Sequence, residues 1–422
     1  VLFLQDDIAD NMISMIKGAM DELSIGDPAH LTTDVGPVID LKAYQRLLEH
    51  TQELSARTSG AKLLHACVLP QECLGGNFFV PHLFEIDDLS VLKREVFGPV
   101  VHVIRFKAGT LDQVVEQINA TGYGLTLGIH SRIEGVCQRV AATAKVGNVY
   151  INRNMIGAIV GVQPFGGCGL SGTGPKAGGP HYLKRLIQPY SSVATTRIVS
   201  ESDFSIATDG ARIDSPFAVK LHSALQHTCA EISYSNDFEN GFYELLSFLQ
   251  QSPVSPVALP GPTGEQNRLE MEPRGRLAVI CGEQDDPQIA LLQLLMAMVT
   301  GNSVVWVGEP RKLDYYEPYF VSLGQRPVVT SLHDLETELK SSELEGVMMQ
   351  PQSTFVSKVK RVLSLRSGAL IPLILDSCPT LVLPRLELEK TISIDTTAAG
   401  GNASLMTMDA EQVDSPERIH AR

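Results

Sequence analysis

At 422 residues, with 44% apolar and 19% charged positions, the chain has room for two or three domains of about 100–200 residues and reads as soluble and globular. A formal net charge of -14 without clustered Lys/Arg argues against an electrostatic footprint for nucleic acid, so no nucleic-acid partner is expected. Seven cysteines, odd in number, scattered and without a C-x-x-C pair, suggest neither a disulfide framework nor a zinc site. No apolar run reaches the ~18 residues of a membrane span. No signal peptide stands at the front, and a reducing cytoplasm is the expected compartment.

The chain opens on Val1-Leu2-Phe3-Leu4 without Met, as if cut from something longer. This apolar run reads as a strand, and residues 8–23 follow with helical spacing at Ile8, Met12, Met15, Ile16, Ala19, Met20 and Leu23. Gly26-Asp27-Pro28 stops that helix, and a second is expected over 43–54. Strands are expected at 63–69 and 77–84 around the Gly75-Gly76 turn, then at 100–106, 127–130 and 147–152, with helices at 111–119 and 135–144. The alternation predicts an α/β domain with a parallel or mixed sheet.

Two motifs organise this region: Glu95-Val96-Phe97-Gly98-Pro99, and Gln163-Pro164-Phe165-Gly166-Gly167-Cys168-Gly169-Leu170-Ser171-Gly172. Alone, the first could be a strand-ending turn. The second spells G-x-G-x-x-G from Gly167 to Gly172, but it follows Gln163-Pro164 and runs into a Gly/Pro-rich stretch, so it is a loop and not a dinucleotide fingerprint. Taken together with Thr33-Asp34-Val35-Gly36-Pro37, Gly76-Asn77-Phe78-Phe79-Val80 and Gly147-Asn148-Val149-Tyr150-Ile151-Asn152, they resemble the C-terminal half of an aldehyde dehydrogenase catalytic domain over residues 1–190. Residues 154–163 resemble more closely the proline utilization A family of bifunctional proline-catabolic enzymes.

That resemblance implies NAD-dependent oxidation of L-glutamate-γ-semialdehyde to glutamate. It implies that Glu95 holds the nicotinamide ribose and Phe97 borders the nicotinamide. It also implies that the backbone N–H groups of Gly157 and Ala158 take the substrate carboxylate and that Phe165 covers its aliphatic chain. Arg153 and Lys176 are further candidates for that carboxylate, although basic loop residues are more often solvated. The chemistry needs a thiolate nucleophile, oxyanion donors, a hydride acceptor and a base. The resemblance puts the nucleophilic Cys and the base Glu upstream of Val1, so no catalytic residue is expected in this chain. Cys168 lies in the Gly-rich loop with no basic neighbour in sequence to lower its pKa, and is not expected to substitute. FAD is expected only in an upstream proline dehydrogenase domain of the same polypeptide. A homo-oligomer is expected, and no metal.

Beyond 190 the character changes. Residues 191–217 read as a Ser/Thr-rich connector, and residues 252–264 as a Pro-rich linker. Residues 218–384 read as a degenerate Rossmann-like α/β domain, kept for packing. Helix-like stretches over 218–249, broken at 233–240, lead to strands at 327–330, 346–350 and 370–375 interleaved with helices at 288–299, 332–339 and 354–365. The region resembles the NAD-binding half of an aldehyde dehydrogenase, but Gly308-Glu309 stands where the family has an adenine-ribose lysine, and an acid there would repel pyrophosphate. Residues 385–408 resemble a C-terminal flap motif over the dehydrogenase site, and the Ile392/Ile394 alternation fits an edge strand. Residues 409–422 are expected to fray. Competing readings are a generic aldehyde dehydrogenase of other specificity, and a non-catalytic lid or assembly module, the latter favoured for 218–406.

Overall fold

In the computed structural model, which describes residues 1–56, 60–186, 221, 224, 233–251, 256–314 and 316–397, the chain divides into two compact units, Val1–Thr121 and Gly122–Arg422. The expected connector at 191–217 and tail at 409–422 lie outside the described residues.

The first unit is a four-stranded sheet in the order β1-β4-β3-β2, built from β1 (Leu2–Gln5), β2 (Ala61–Ala66), β3 (His82–Ile86) and β4 (Val100–Phe106). β1, β4 and β3 run parallel, while β2 is antiparallel to β3. Side chains alternate across the sheet. Leu4, Leu83 and Val103 pack on Ala9, Ile13 and Met20 of helix α1 (Asp6–Asp21), whereas Phe84, Ile86 and Ile104 pack with Leu54 of helix α2 (Leu41–Ser55). α2 starts where the Asp40 carboxylate accepts from Ala43 N at 2.7 Å. Helix α3 (Leu111–Ala120) buries Val114 and Val115. The strand expected at 77–84 begins only at His82, because Pro81 has no N–H to give a ladder. The Gly75-Gly76 turn follows a short 3₁₀ turn, Gln71–Cys73.

The second unit opens with β5 (Tyr123–Gly124), β6 (Thr126–Ile129), helix α4 (Glu134–Thr143), β7 (Asn148–Ile151) and β8 (Cys168–Gly169). Helix α5 (Asn236–Gln251) starts inside the stretch expected to be a break, because Ser235 caps it: its hydroxyl accepts from Phe238 N at 3.3 Å. Then follow β9 (Val257–Leu259), β10 (Glu265–Pro273), β11 (Arg276–Ile280), α6 (Pro287–Val299), β12 (Ser303–Val307), α7 (Arg311–Asp314), α8 (Glu317–Leu323), β13 (Val328–Thr330), α9 (Leu335–Lys340), β14 (Leu344–Met349), α10 (Val356–Ser364), β15 (Leu373–Ile374), α11 (Pro379–Val382) and β16 (Glu387–Asp395).

Five of these strands form an all-parallel sheet, β13-β12-β11-β14-β15. Starting at β11, that is the 3-2-1-4-5 order of a Rossmann half. Leu277, Val279, Val304 and Trp306 face one core, with α5 and α6 over them; Ala278, Ile280, Val305 and Val307 face the other, against α9 and α10. α6 is buried nearly all round, which explains its continuous apolar sequence.

The remaining sheet, β6-β7-β16-β10-β9, departs from expectation in two places. The Pro-rich stretch 252–264 contains β9, a three-residue strand antiparallel to β10, with Pro256 and Pro260 just outside it on the sheet edge. Residues 387–395 are not an edge strand. β16 runs inside the sheet, parallel to β7 (Ile392 opposite Val149) and antiparallel to β10 (Ile392 opposite Arg268). Lys390, Thr391, Ile392 and Ser393 are all buried, so the polar residues around Ile392 face protein and not water. Residues 398–408 lie outside the described set. Among the described residues no helix is long and apolar enough to cross a membrane, and no group of three or more His/Cys/Asp/Glu could hold a metal.

Candidate functional site

Glu95 and Phe97 belong to the first unit, in the irregular segment before β4. Both are exposed, Phe97 to 88%, which is unusual for a ring that normally gains by burial. Gly98 follows, where a Cβ would come within 2.5 Å of the Leu47 methyls; the turn after Phe97 therefore lies directly on α2.

Gly157, Ala158 and Phe165 belong to the second unit, beyond β7. The chain leaves that strand at Asn152, a non-glycine residue at φ 57. Asn is among the few residues that tolerate this conformation. Its side chain is bound on both sides, accepting from Ser131 N and donating to Ser131 O, each at 3.0 Å. The loop that follows, 154–161, is exposed throughout. Gly157 has φ 77 and nothing within 4 Å of a Cβ. Neighbouring amides are spent internally: Ile159 N donates to Gln163 Oε1 at 3.0 Å and Gly161 N to Gly178 O at 3.1 Å. Among the described residues the amides of Gly157 and Ala158 have no protein acceptor. Phe165 is half-buried and fixed by a two-bond bridge to Ala177.

The two candidate cations are both occupied. Arg153 pairs with Glu265 and lies 5.4 Å from the Tyr150 ring centroid. Lys176 is buried, with its ammonium donating to Gly147 O at 2.6 Å, Gly166 O at 2.8 Å and Asn148 Oδ1 at 3.0 Å. Burial lowers its pKa to about 8. Lys176 therefore stitches the Gly-rich loop to β7. A Cβ on Gly147 would fall 1.9 Å from Gly166 O, so this junction requires glycine.

Cys168 donates to Lys145 O at 3.3 Å, and burial raises its thiol pKa despite the opposing pull of Lys390 and Lys176. Those are the surroundings of a packing cysteine, not of a thiolate. A cavity against this loop is lined by Cys168, Lys176, Arg185, Arg274, Glu387 and Glu389 among others. Burial pushes the Glu387 carboxyl up to about 7.

β16 is what the sequence did not reveal as support for this loop. Thr391 Oγ1 donates to Pro164 O at 2.8 Å, Glu389 accepts from Lys176 N at 2.7 Å, and Lys390 Nζ donates to Ala141 O at 3.0 Å and Glu272 at 2.5 Å.

The family model that matches residues 1–191 is the aldehyde dehydrogenase family. Residues 1–191 are an aldehyde dehydrogenase family domain. The chain is 37% identical to the bifunctional protein PutA of Escherichia coli (strain K12), over 97% of the chain and 30% of that protein. Over 42% of its length the chain is 38% identical to 1-pyrroline-5-carboxylate dehydrogenase of Geobacillus kaustophilus, a match that covers 34% of that protein. The structure of proline utilization A from Corynebacterium freiburgense covers 93% of the chain and 35% of that protein at a TM-score of 0.56 and 20% identity, a likeness of fold. The chain thus spans about 30% of the length of the PutA relatives it matches.

Proposed function

We propose that this chain is part of an NAD-dependent L-glutamate-γ-semialdehyde (1-pyrroline-5-carboxylate) dehydrogenase in proline catabolism, within a longer bifunctional enzyme. The observation that carries this reading is the pair of amides at Gly157 and Ala158, without a protein acceptor among the described residues, on an exposed loop held at both ends. Two N–H groups with no protein acceptor suit a carboxylate, which accepts on two oxygens, and an amino-acid semialdehyde carries such a carboxylate where a plain aliphatic aldehyde does not. Phe165 would lie along the aliphatic part.

NAD, when bound, accepts the hydride released by the aldehyde carbon. The residues in hand suit part of its seat: the Glu95 carboxylate would accept from the ribose hydroxyls, and the exposed Phe97 ring would border the nicotinamide. The nucleophilic Cys and the base Glu are assigned outside this chain, as is FAD, which belongs with a proline dehydrogenase domain. The whole protein would act in the cytoplasm as a homo-oligomer.

The Rossmann-like sheet is read as non-catalytic. At the end of β11, Gly282 N is taken by the Asp285 carboxylate at 2.7 Å, and Gln288 N at the start of α6 by Asp286 at 2.8 Å. A pyrophosphate arriving at that helix start would meet two carboxylates in place of free amides. A structural role for 218–397 is supported by β10 and β16, which build the sheet that carries β7.

The test is direct. The chain purified alone should show no NAD-dependent oxidation of glutamate semialdehyde, and the whole protein should show it. Turnover by the chain alone that Cys168→Ser abolishes would overturn the site assignment.

A further inference from the structure

The exposed loop from Arg153 to Gln163 is tied at both ends to one carboxylate. Glu265 Oε2 accepts from Arg153 Nη1, and Glu265 Oε1 accepts from Gln163 Nε2 and, at 2.9 Å, from Asn267 Nδ2. Glu265 lies at the start of β10, far along the chain and inside the sheet region shared with β16. The Arg153 and Glu265 side chains are only 15% and 14% exposed, and Gln163 is buried.

The chemistry of the carboxylate dictates what the glutamine can do. An ionised carboxylate only accepts, so Gln163 must turn its Nε2 toward Glu265. That leaves Oε1 pointing back along the loop, where it accepts from Ile159 N at 3.0 Å. Ile159 directly follows Gly157-Ala158. The carboxylate therefore sets the amide orientation of Gln163, Gln163 fixes Ile159 N, and Ile159 fixes the backbone that carries the Gly157 and Ala158 N–H groups. Further support in the 154–158 stretch is slight: Arg153 Nε donates to Asn154 O at 3.3 Å and the Met155 side chain lies against Gly128, while all five residues are exposed.

We infer that Glu265 is a positioning residue for the substrate-carboxylate loop, supplied by the part of the chain that carries no catalytic group. The inference rests on the proposed reading of Gly157 and Ala158. It gives the later half of the chain a role in specificity as well as in packing.

The test uses the whole protein that carries this chain, with Glu265→Gln, which keeps the volume and removes the obligatory acceptor. KM for glutamate semialdehyde should rise about tenfold with kcat changed by less than about twofold, while KM for propanal, which has no carboxylate, should stay put. Gln163→Leu should reproduce the pattern if Glu265→Gln folds poorly. Equal changes for both aldehydes, or none for the semialdehyde, would overturn the inference. Hydrogen exchange over residues 155–163 gives an answer independent of activity: faster exchange in Glu265→Gln supports the tether, and unchanged exchange refutes it. If the wild-type protein fails to oxidise the semialdehyde while the exchange still changes, the proposed substrate is wrong and the tether stands.

Discussion

His50 Nε2 on α2 and His102 Nε2 on β4 lie 2.9 Å apart, both buried, with their rings crossed at 73°. One ring must donate and the other accept, so the bond is lost once both rings are protonated and each presents only donors. Burial lowers the His102 pKa to about 4, helped by His50. Burial also lowers that of His50, opposed by Glu53 and reinforced by Arg94. In the unfolded chain both return to the ordinary 6.5. Between pH 6.5 and 4 the unfolded state therefore binds protons that the folded state refuses, and stability falls as pH falls. The urea midpoint of the first unit should drop steadily across that window. His102→Phe paired with His50→Leu should flatten the slope; an unchanged slope would show that other groups set it.

Glu387 works in the opposite direction. Its folded pKa of about 7, raised by burial, lies above the ordinary 4.5, so its folded form holds a proton that the unfolded form has lost. Its contribution is complete below pH 4.5 and disappears as pH rises through 7. Glu387→Gln should stabilise the protein at pH 8.5 by about 2 kcal/mol, allowing for partial exposure, and change little at pH 4.5. Thermal melts at the two pH values decide it, and a destabilised variant at pH 8.5 would mean that the ionised carboxylate has a stabilising partner.

Lys176→Met keeps the stem and removes a buried ammonium from three acceptors. Unpaired buried carbonyls are costly, and the loss should be about 3 kcal/mol. Denaturant titration gives the number. A loss under about 0.5 kcal/mol would place Lys176 among ordinary solvated loop lysines.

Glu95→Ala concerns function and not folding. The residue is exposed, so the stability of the first unit should not move by more than about 0.5 kcal/mol. In the whole protein, loss of ribose positioning should lower turnover by on the order of 100-fold. Wild-type kinetics would reduce Glu95 to a surface acid.

The helices and parallel strands were legible because each satisfies its own periodicity locally. Even there the face was only partly right: of the positions that marked α1, Met20 is buried and Met12 and Ile16 pack on the core, but Ile8 and Met15 are 51% and 68% exposed and the unmarked Ala9 and Ile13 are buried. The mixed sheet was illegible. β10 reads Glu-Gln-Asn-Arg-Leu-Glu-Met-Glu-Pro, a polar string whose charges are absorbed by one another, Arg268 pairing with Glu270 at 2.8 Å and Glu272 with Lys390. β16 was taken for an edge because Ile392 and Ile394 alternate with polar residues, a pattern that the buried Thr391 and Ser393 share with a solvated face. At the site, the motifs marked Arg153 and Lys176 as notable cations, but their partners come from elsewhere in the sequence, and no local pattern points to Glu265.

The placement of β16 also constrains how the protein can be made. Synthesis delivers the Gly-rich loop and β7 long before β16, and Val149 has no parallel neighbour on that side until Ile392 has left the ribosome. Until then β7 presents an open edge of unpaired N–H and C=O groups, with Lys176 N and Pro164 O lacking the partners that Glu389 and Thr391 supply. Ribosome-associated chaperones would find their binding surface there, and a nascent chain stalled before residue 387 would be an aggregation-prone, protease-sensitive species.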